Sequence, residues 1–161
     1  MRGESNLFEI LFMSEVHRLY AGRAEKHMDR KSMMERIAQI ISNYPEVQTA
    51  YVFGSFLERE DFRDIDIALL FSENSSSYRA LKLALHIGSD LDQGIKPGRD
   101  FDVRVLNNAH PEFQYEVVKN GRSVFSRNKQ ERYDFEAEVI SAYLDLKEMY
   151  DTYDRKYLAR A

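Results

Sequence analysis

Residues 47–71 read VQTAYVFGSFLEREDFRDIDIALLF, and the fold turns on how this stretch divides. Val47 to Phe53 is rich in β-branched and aromatic residues, the composition of a half-buried strand, and Gly54-Ser55 ends it. Asp64 to Phe71 forms a second strand, alternating at its start and continuously apolar at its end. Strand side chains alternate, so Asp64 and Asp66 share one face while Ile65 and Ile67 take the other. Two carboxylates side by side repel each other, which is costly unless a cation sits between them. Hard oxygen ligands at this spacing suit Mg²⁺, which keeps several waters and takes substrate phosphates as further ligands. The plainer alternative is that Asp64 caps the strand and Asp66 faces solvent.

Gly54 lets the backbone approach a ligand closely. The N–H groups there, the Ser55 hydroxyl and the start of a following helix can hold phosphate oxygens. A bare Gly-Ser turn is more often only a turn, so its weight comes from its neighbours.

Working outward, Ser32 to Asn43 is a helix with Met33, Ile37, Ile40 and Ile41 on one side, and Ser32 with Glu35 reads as a capping box. A helix over residues 6–20 precedes it. Tyr78 to Leu91 is helical through Leu81, Ala84, Leu85 and Leu91, and Gly94, Pro97 and Gly98 form a loop. Phe101 to Leu106 is a third strand. His110 to Asn120 is a short helix with Pro111 at its first position and Gly121 just past its end, and Ser123 to Phe125 is a short fourth strand. From about Gln130 the chain is helical. Strands alternating with helices give an α/β (α+β) domain with a mixed sheet flanked by helices and a long C-terminal helix. The organisation expected is an N-terminal helical segment (1–44), a core (45–128) and a C-terminal helix packing on it (129–161), one domain overall.

The third strand carries Asp102 inside a β run, and Asp100 lies on the same face. A third carboxylate beside an Asp-x-Asp pair can ligate a second metal and accept the proton of an attacking hydroxyl. Arg104 shares that face too, so a local ion pair with Asp102 is the competing account.

Composition removes several classes. The chain of 161 residues has no cysteine, so neither a disulfide framework nor a Cys-based metal site is possible. Net charge is −4, which argues against a broad nucleic-acid-coating surface but allows a small phosphate site. The apolar stretch Leu7 to Met13 is short and interrupted by Glu9, so neither a membrane span nor a signal peptide is expected, and a cytoplasmic protein is. His17, His27, His86 and His110 lack metal-ligand spacing, and no P-loop, GxGxxG after a strand, or Gly-x-Ser-x-Gly elbow occurs.

The order strand, Gly-Ser, short helix, strand with Asp-x-Asp, then a later strand with one Asp resembles the polymerase-beta-like nucleotidyltransferase superfamily. The text FDVRVLNNAHPEFQYEVVKNGRSVF (101–125) is similar to its minimal nucleotidyltransferase family, which includes antitoxins paired with HEPN ribonuclease toxins. The resemblance runs from about Val47 to the C-terminal helix. It implies an Mg-dependent enzyme transferring NMP, AMP from ATP by preference, to a hydroxyl, with a tyrosine of a HEPN-type toxin as acceptor. It assigns Gly54 and Ser55 to the nucleotide phosphates, Asp64 and Asp66 to two Mg²⁺ ions, and Asp102 to the third carboxylate. Two departures stand out: Leu57-Glu58-Arg59 replaces the usual small-Arg-Gly continuation, and Arg63 replaces a frequent Ser before Asp64. Either arginine could supply positive charge to a triphosphate.

Phe135, Val139, Ala142, Leu146, Met149 and Tyr153 form a heptad seam in the last helix, with Tyr143, Tyr150 and Tyr157 beside it. The favoured account is a face covered within the chain; the alternative is a surface for a partner or a second copy. Two other functions stay open: a binding module that silences a partner by occlusion, and an enzyme modifying a small hydroxylated molecule.

Overall fold

The computed structural model describes residues 29–73, 75–95 and 100–157. The helix expected over 6–20, His17 and His27, and the loop residues Pro97 and Gly98 lie outside them. The chain divides into compact units of residues 1–32 and 33–161, and the second holds everything that follows.

The elements are α1 (Arg30–Ile41), β1 (Val47–Phe53), α2 (Ser55–Glu58), β2 (Asp64–Phe71), α3 (Ser77–Gly94), β3 (Asp100–Val105), α4 (Pro111–Asn120), β4 (Arg122–Ser126) and α5 (Lys129–Tyr157). The strands form one sheet in the order β3-β2-β1-β4. β1 is antiparallel to both neighbours, whereas β2 and β3 are parallel. A parallel pair cannot be joined by a tight turn, and α3 supplies the crossover.

Each sheet face buries a different set. Ile65, Ile67, Leu69 and Phe71 of β2 are buried on one face. α3 packs there through Ala80, Ala84 and Gly88, spaced one turn apart. A Cβ on Gly88 would lie 3.4 Å from the Val103 side chain, so small residues set the approach of helix to sheet. On the other face Tyr51, Ala68, Leu106 and Val117 form a core with Phe53, Leu70, Phe113 and Phe135 packed on it. α4 and α5 supply its cover.

Several local expectations change. The first helix starts at Arg30, because the Asp29 carboxylate accepts hydrogen bonds from the Ser32 N–H (2.8 Å) and hydroxyl (3.2 Å). Asp29 is therefore the cap, and Ser32 is inside the first turn. α3 is capped by Ser76, whose hydroxyl accepts from Arg79 N–H. Leu81 and Leu85 do not enter the core: the small-residue stripe turns them outward, 56% and 69% exposed. Gly121 is not left-handed (φ −80°); it is glycine because a Cβ would meet the Val117 carbonyl oxygen at 2.4 Å.

The C-terminal helix is covered only in its first half. Val139 is buried, and Tyr143 stacks on Tyr115 with ring centroids 3.7 Å apart. From Lys147 onward every described residue is exposed, including Met149, Tyr150, Tyr153 and Tyr157. The expectation that the whole seam is covered within the chain thus fails. Its physical reason is length: α5 has 29 residues, and α4, which flanks it, has ten. Among the described residues no helix is long and apolar enough to cross a membrane.

Candidate active site

The parallel pairing of β2 and β3 sets Asp64 opposite Asp100 and Asp66 opposite Asp102. Partners in register point to the same face, so four carboxylates line one end of these strands. Ile65 and Ile67 are buried on the opposite face, as the alternation requires. Asp64 is exposed and Asp66 half-buried.

Electrostatics separates the two rivals on β3. Burial pushes the Asp66 carboxyl above the usual carboxylate range, and the charges of Asp64 and Asp102 raise it further, while Arg104 opposes them. Asp100 is not among the charges that Asp66 feels. The cluster formed by the pair on β2 therefore extends to Asp102.

Gly54 lies at the end of β1, where Phe53 pairs with Asp66. Its backbone sits at φ 72°, ψ −154°, a region essentially reserved for glycine. A Cβ at this position would lie 2.5 Å from Asp66 Oδ2. Gly54 thus makes room for the carboxylate itself, and Ser55 starts the one-turn helix α2 directly beside it. Arg59 N–H closes that turn on the Ser55 carbonyl at 2.8 Å.

Asp102 is also ion-paired. Arg104 donates to its Oδ2 from Nε at 3.0 Å and from Nη2 at 2.7 Å. The guanidinium lies 5.6 Å from the Phe113 ring centroid, and Phe113 in turn meets Phe53 edge-on at 5.6 Å. Among the described residues no three acidic or histidine side chains converge as a ready-made metal cage. The donor set nonetheless suits a hard divalent cation, because Asp66 is held among like charges that added positive charge would relieve.

Three supporting residues escaped the sequence reading. Asp92 of α3 accepts the Phe101 N–H at 3.1 Å, tying the start of β3 to the crossover helix. Asn107 accepts from Phe71 N–H at 2.9 Å and donates to Phe71 O at 2.8 Å, closing the far end of β2. Phe113 holds Arg104. None has a local signature, since each acts through a partner distant in sequence.

Comparison with known proteins gives these features a family. Residues 35–130 match the family described as Polymerase beta, Nucleotidyltransferase. The chain is 29% identical over 107 residues to the protein adenylyltransferase MntA of Shewanella oneidensis, covering 65% of this chain and 72% of that protein. Two similar solved structures are a toxin–antitoxin with AMP-PNP and a tri-AMPylated Shewanella oneidensis HEPN toxin in complex with MNT antitoxin. The first is similar at TM-score 0.59 and 26% identity, covering 78% of this chain and 98% of that one. The second is similar at TM-score 0.58 and 25% identity, covering 80% and 98%. A match across more than half its length, on a sheet that brings Asp64, Asp66 and Asp102 to one end beside Gly54, establishes that the chain belongs to the polymerase beta nucleotidyltransferase family.

Proposed function

We propose that this protein is an Mg-dependent adenylyltransferase that transfers AMP from ATP to a tyrosine hydroxyl of a HEPN-type toxin and thereby silences it, in the cytoplasm. The observation that carries the proposal is the in-register pairing of Asp66 with Asp102 beside Gly54. The similarity to the protein adenylyltransferase MntA and to an AMPylated toxin complex supports donor, reaction and partner.

Asp64 and Asp66 would hold two Mg²⁺ ions, with Asp102 as the third carboxylate. When bound, the ions supply charge neutralisation at the triphosphate and an in-line arrangement of attacking and leaving oxygens. Gly54 and Ser55 would receive the phosphates, the glycine by offering backbone N–H groups without a side chain in the way. Asp102 would accept the proton of the tyrosine hydroxyl as that oxygen attacks the α-phosphorus. The bond between α-phosphorus and bridging oxygen breaks, pyrophosphate leaves, and a tyrosine-O-AMP ester remains. Arg104 holds Asp102 Oδ2, so the guanidinium must yield that oxygen, and its displaced charge is then available to the triphosphate.

The test is intact-mass measurement of a HEPN-type partner after incubation with this protein, ATP and Mg²⁺. Transfer gives mass increments of one or more AMP units at substoichiometric amounts of this protein. A partner silenced one-to-one, unmodified, and still silenced by Asp102→Ala would instead identify an occluding binding module.

A further inference from the structure

At the opposite end of the sheet face that carries the aspartates lies a cleft of about 770 Å³ between β1, β2, α4 and α5. Leu70 contributes to it, four residues along β2 from Asp66, which sets the two places roughly 13 Å apart. The buried core of Tyr51, Ala68 and Val117 separates them. The cleft therefore belongs to neither the triad nor the Gly54-Ser55 turn.

Its chemistry is uneven in a specific way. The floor is apolar, made by Leu70, Phe135 and Val139. Around it stand four carboxylates, Glu73, Glu131, Asp134 and Glu138, and no lysine, arginine or histidine lines it among the described residues. Glu131 accepts from Asn128 and Asp134 from Gln130, so their partners are neutral amides that leave the charge uncompensated. At the floor lies Thr49, 1% exposed and the one buried polar residue among those described. Its hydroxyl has no hydrogen-bond partner among the described residues. A buried hydroxyl without a partner costs free energy that a ligand donor would recover.

From this we infer that the cleft is a docking site for a basic side chain of the protein acceptor, an arginine above all. The methylene stem of arginine covers apolar surface while its head stays among acceptors. Its guanidinium offers five donors, enough for Thr49 and two carboxylates together. Charge complementarity selects the occupant: a net-negative, apolar-floored cleft rejects phosphate, nucleic acid and acidic segments. The role as acceptor dock rests on the adenylyl-transfer proposal; the binding itself does not.

The binding test uses the full chain, ¹⁵N-labelled, without nucleotide or metal, titrated with the peptide Ac-Gly-Arg-Gly-NH₂. Saturable shifts of the Thr49, Leu70 and Ala142 amides are expected, with a dissociation constant on the order of millimolar. Glu131→Gln/Glu138→Gln should weaken binding by about fivefold or more, and 0.5 M salt should do likewise, given a Debye length of roughly 4 Å there. Thr49→Val should also weaken it without loss of thermal stability, since the hydroxyl has no partner to lose. Absence of shifts with the arginine peptide, equal shifts with Ac-Gly-Gln-Gly-NH₂, or shifts with spermine alone would overturn the inference. In transfer assays the Glu131→Gln/Glu138→Gln variant should raise KM for the protein acceptor and leave KM for ATP unchanged. Peptide shifts without any AMP transfer would sink the functional proposal and leave the basic-side-chain site standing.

Discussion

The Asp66 carboxylate occupies the space that a side chain on residue 54 would need: a Cβ there would lie 2.5 Å from Asp66 Oδ2. Two strands meet at this contact, since Phe53 and Asp66 are partners in register. Gly54→Ala therefore has two faults, a clash with a carboxylate and a backbone conformation that alanine avoids. We expect a stability loss of about 1–3 kcal/mol from strain alone, and a loss of transfer through displacement of Asp66. Urea denaturation with a parallel assay of labelled ATP checks both; wild-type values in both would refute the contact.

Asp66 carries a second expectation, with a defined sign. Its carboxyl is raised in the folded protein, first by burial and then by Asp64 and Asp102. A raised carboxylate favours folding at pH below the unfolded value and opposes it as pH rises through the folded one. Asp66→Asn should thus raise Tm at pH 7, by roughly 1–4 °C in a domain of this size, while abolishing transfer. The gain should vanish near pH 3, where the wild-type carboxyl is protonated. A stability loss at pH 7 would show that the carboxylate is held by favourable contacts instead.

Asp102 and Asp100 are separable by function. Asp102 faces Asp66, and Asp100 faces the exposed Asp64. Asp102→Ala should lower kcat by about 10²–10⁴-fold, the range of a positioned general base, while MgATP still binds. Asp100→Ala should stay close to wild type. Steady-state kinetics together with calorimetric nucleotide titration decide the matter; the reverse pattern would mean that the transferred proton goes elsewhere.

Tyr51 joins the sheet to the last helix, its hydroxyl donating to Glu136 at 2.9 Å. Glu136 also lies 3.4 Å from Arg132. Burial and then this carboxylate push the phenol far above its ordinary range, so it stays protonated and donating. Tyr51→Phe should lower stability by about 1.5–3 kcal/mol, the range for a hydrogen bond to a charged group. Chemical denaturation measures it, and an unchanged midpoint would mean that α5 is anchored by Phe135 and Val139 alone.

Alternation alone placed Asp64 and Asp66 on one strand face and Ile65 and Ile67 in the core, because a strand has a fixed period and a buried side. The strand–turn–strand order around Gly54-Ser55 was legible for the same local reason. So were Pro111 at the start of α4 and the helical run after Gln130. Which acid on β3 joins the pair was not legible, since Asp100 and Asp102 share a face and only the register with β2 tells them apart. The buried side of α3 was misread because hydrophobicity points to Leu81 and Leu85, whereas close approach to Val103 requires Ala84 and Gly88. The Arg104–Asp102 pair was open in the sequence, and its hold on Phe113 needed a helix folded over the sheet. The acidic cleft around Thr49 had no trace in the sequence at all. Its carboxylates come from a loop after β2 and from α5, and only packing of distant segments on one sheet face gathers charges that local spacing cannot relate.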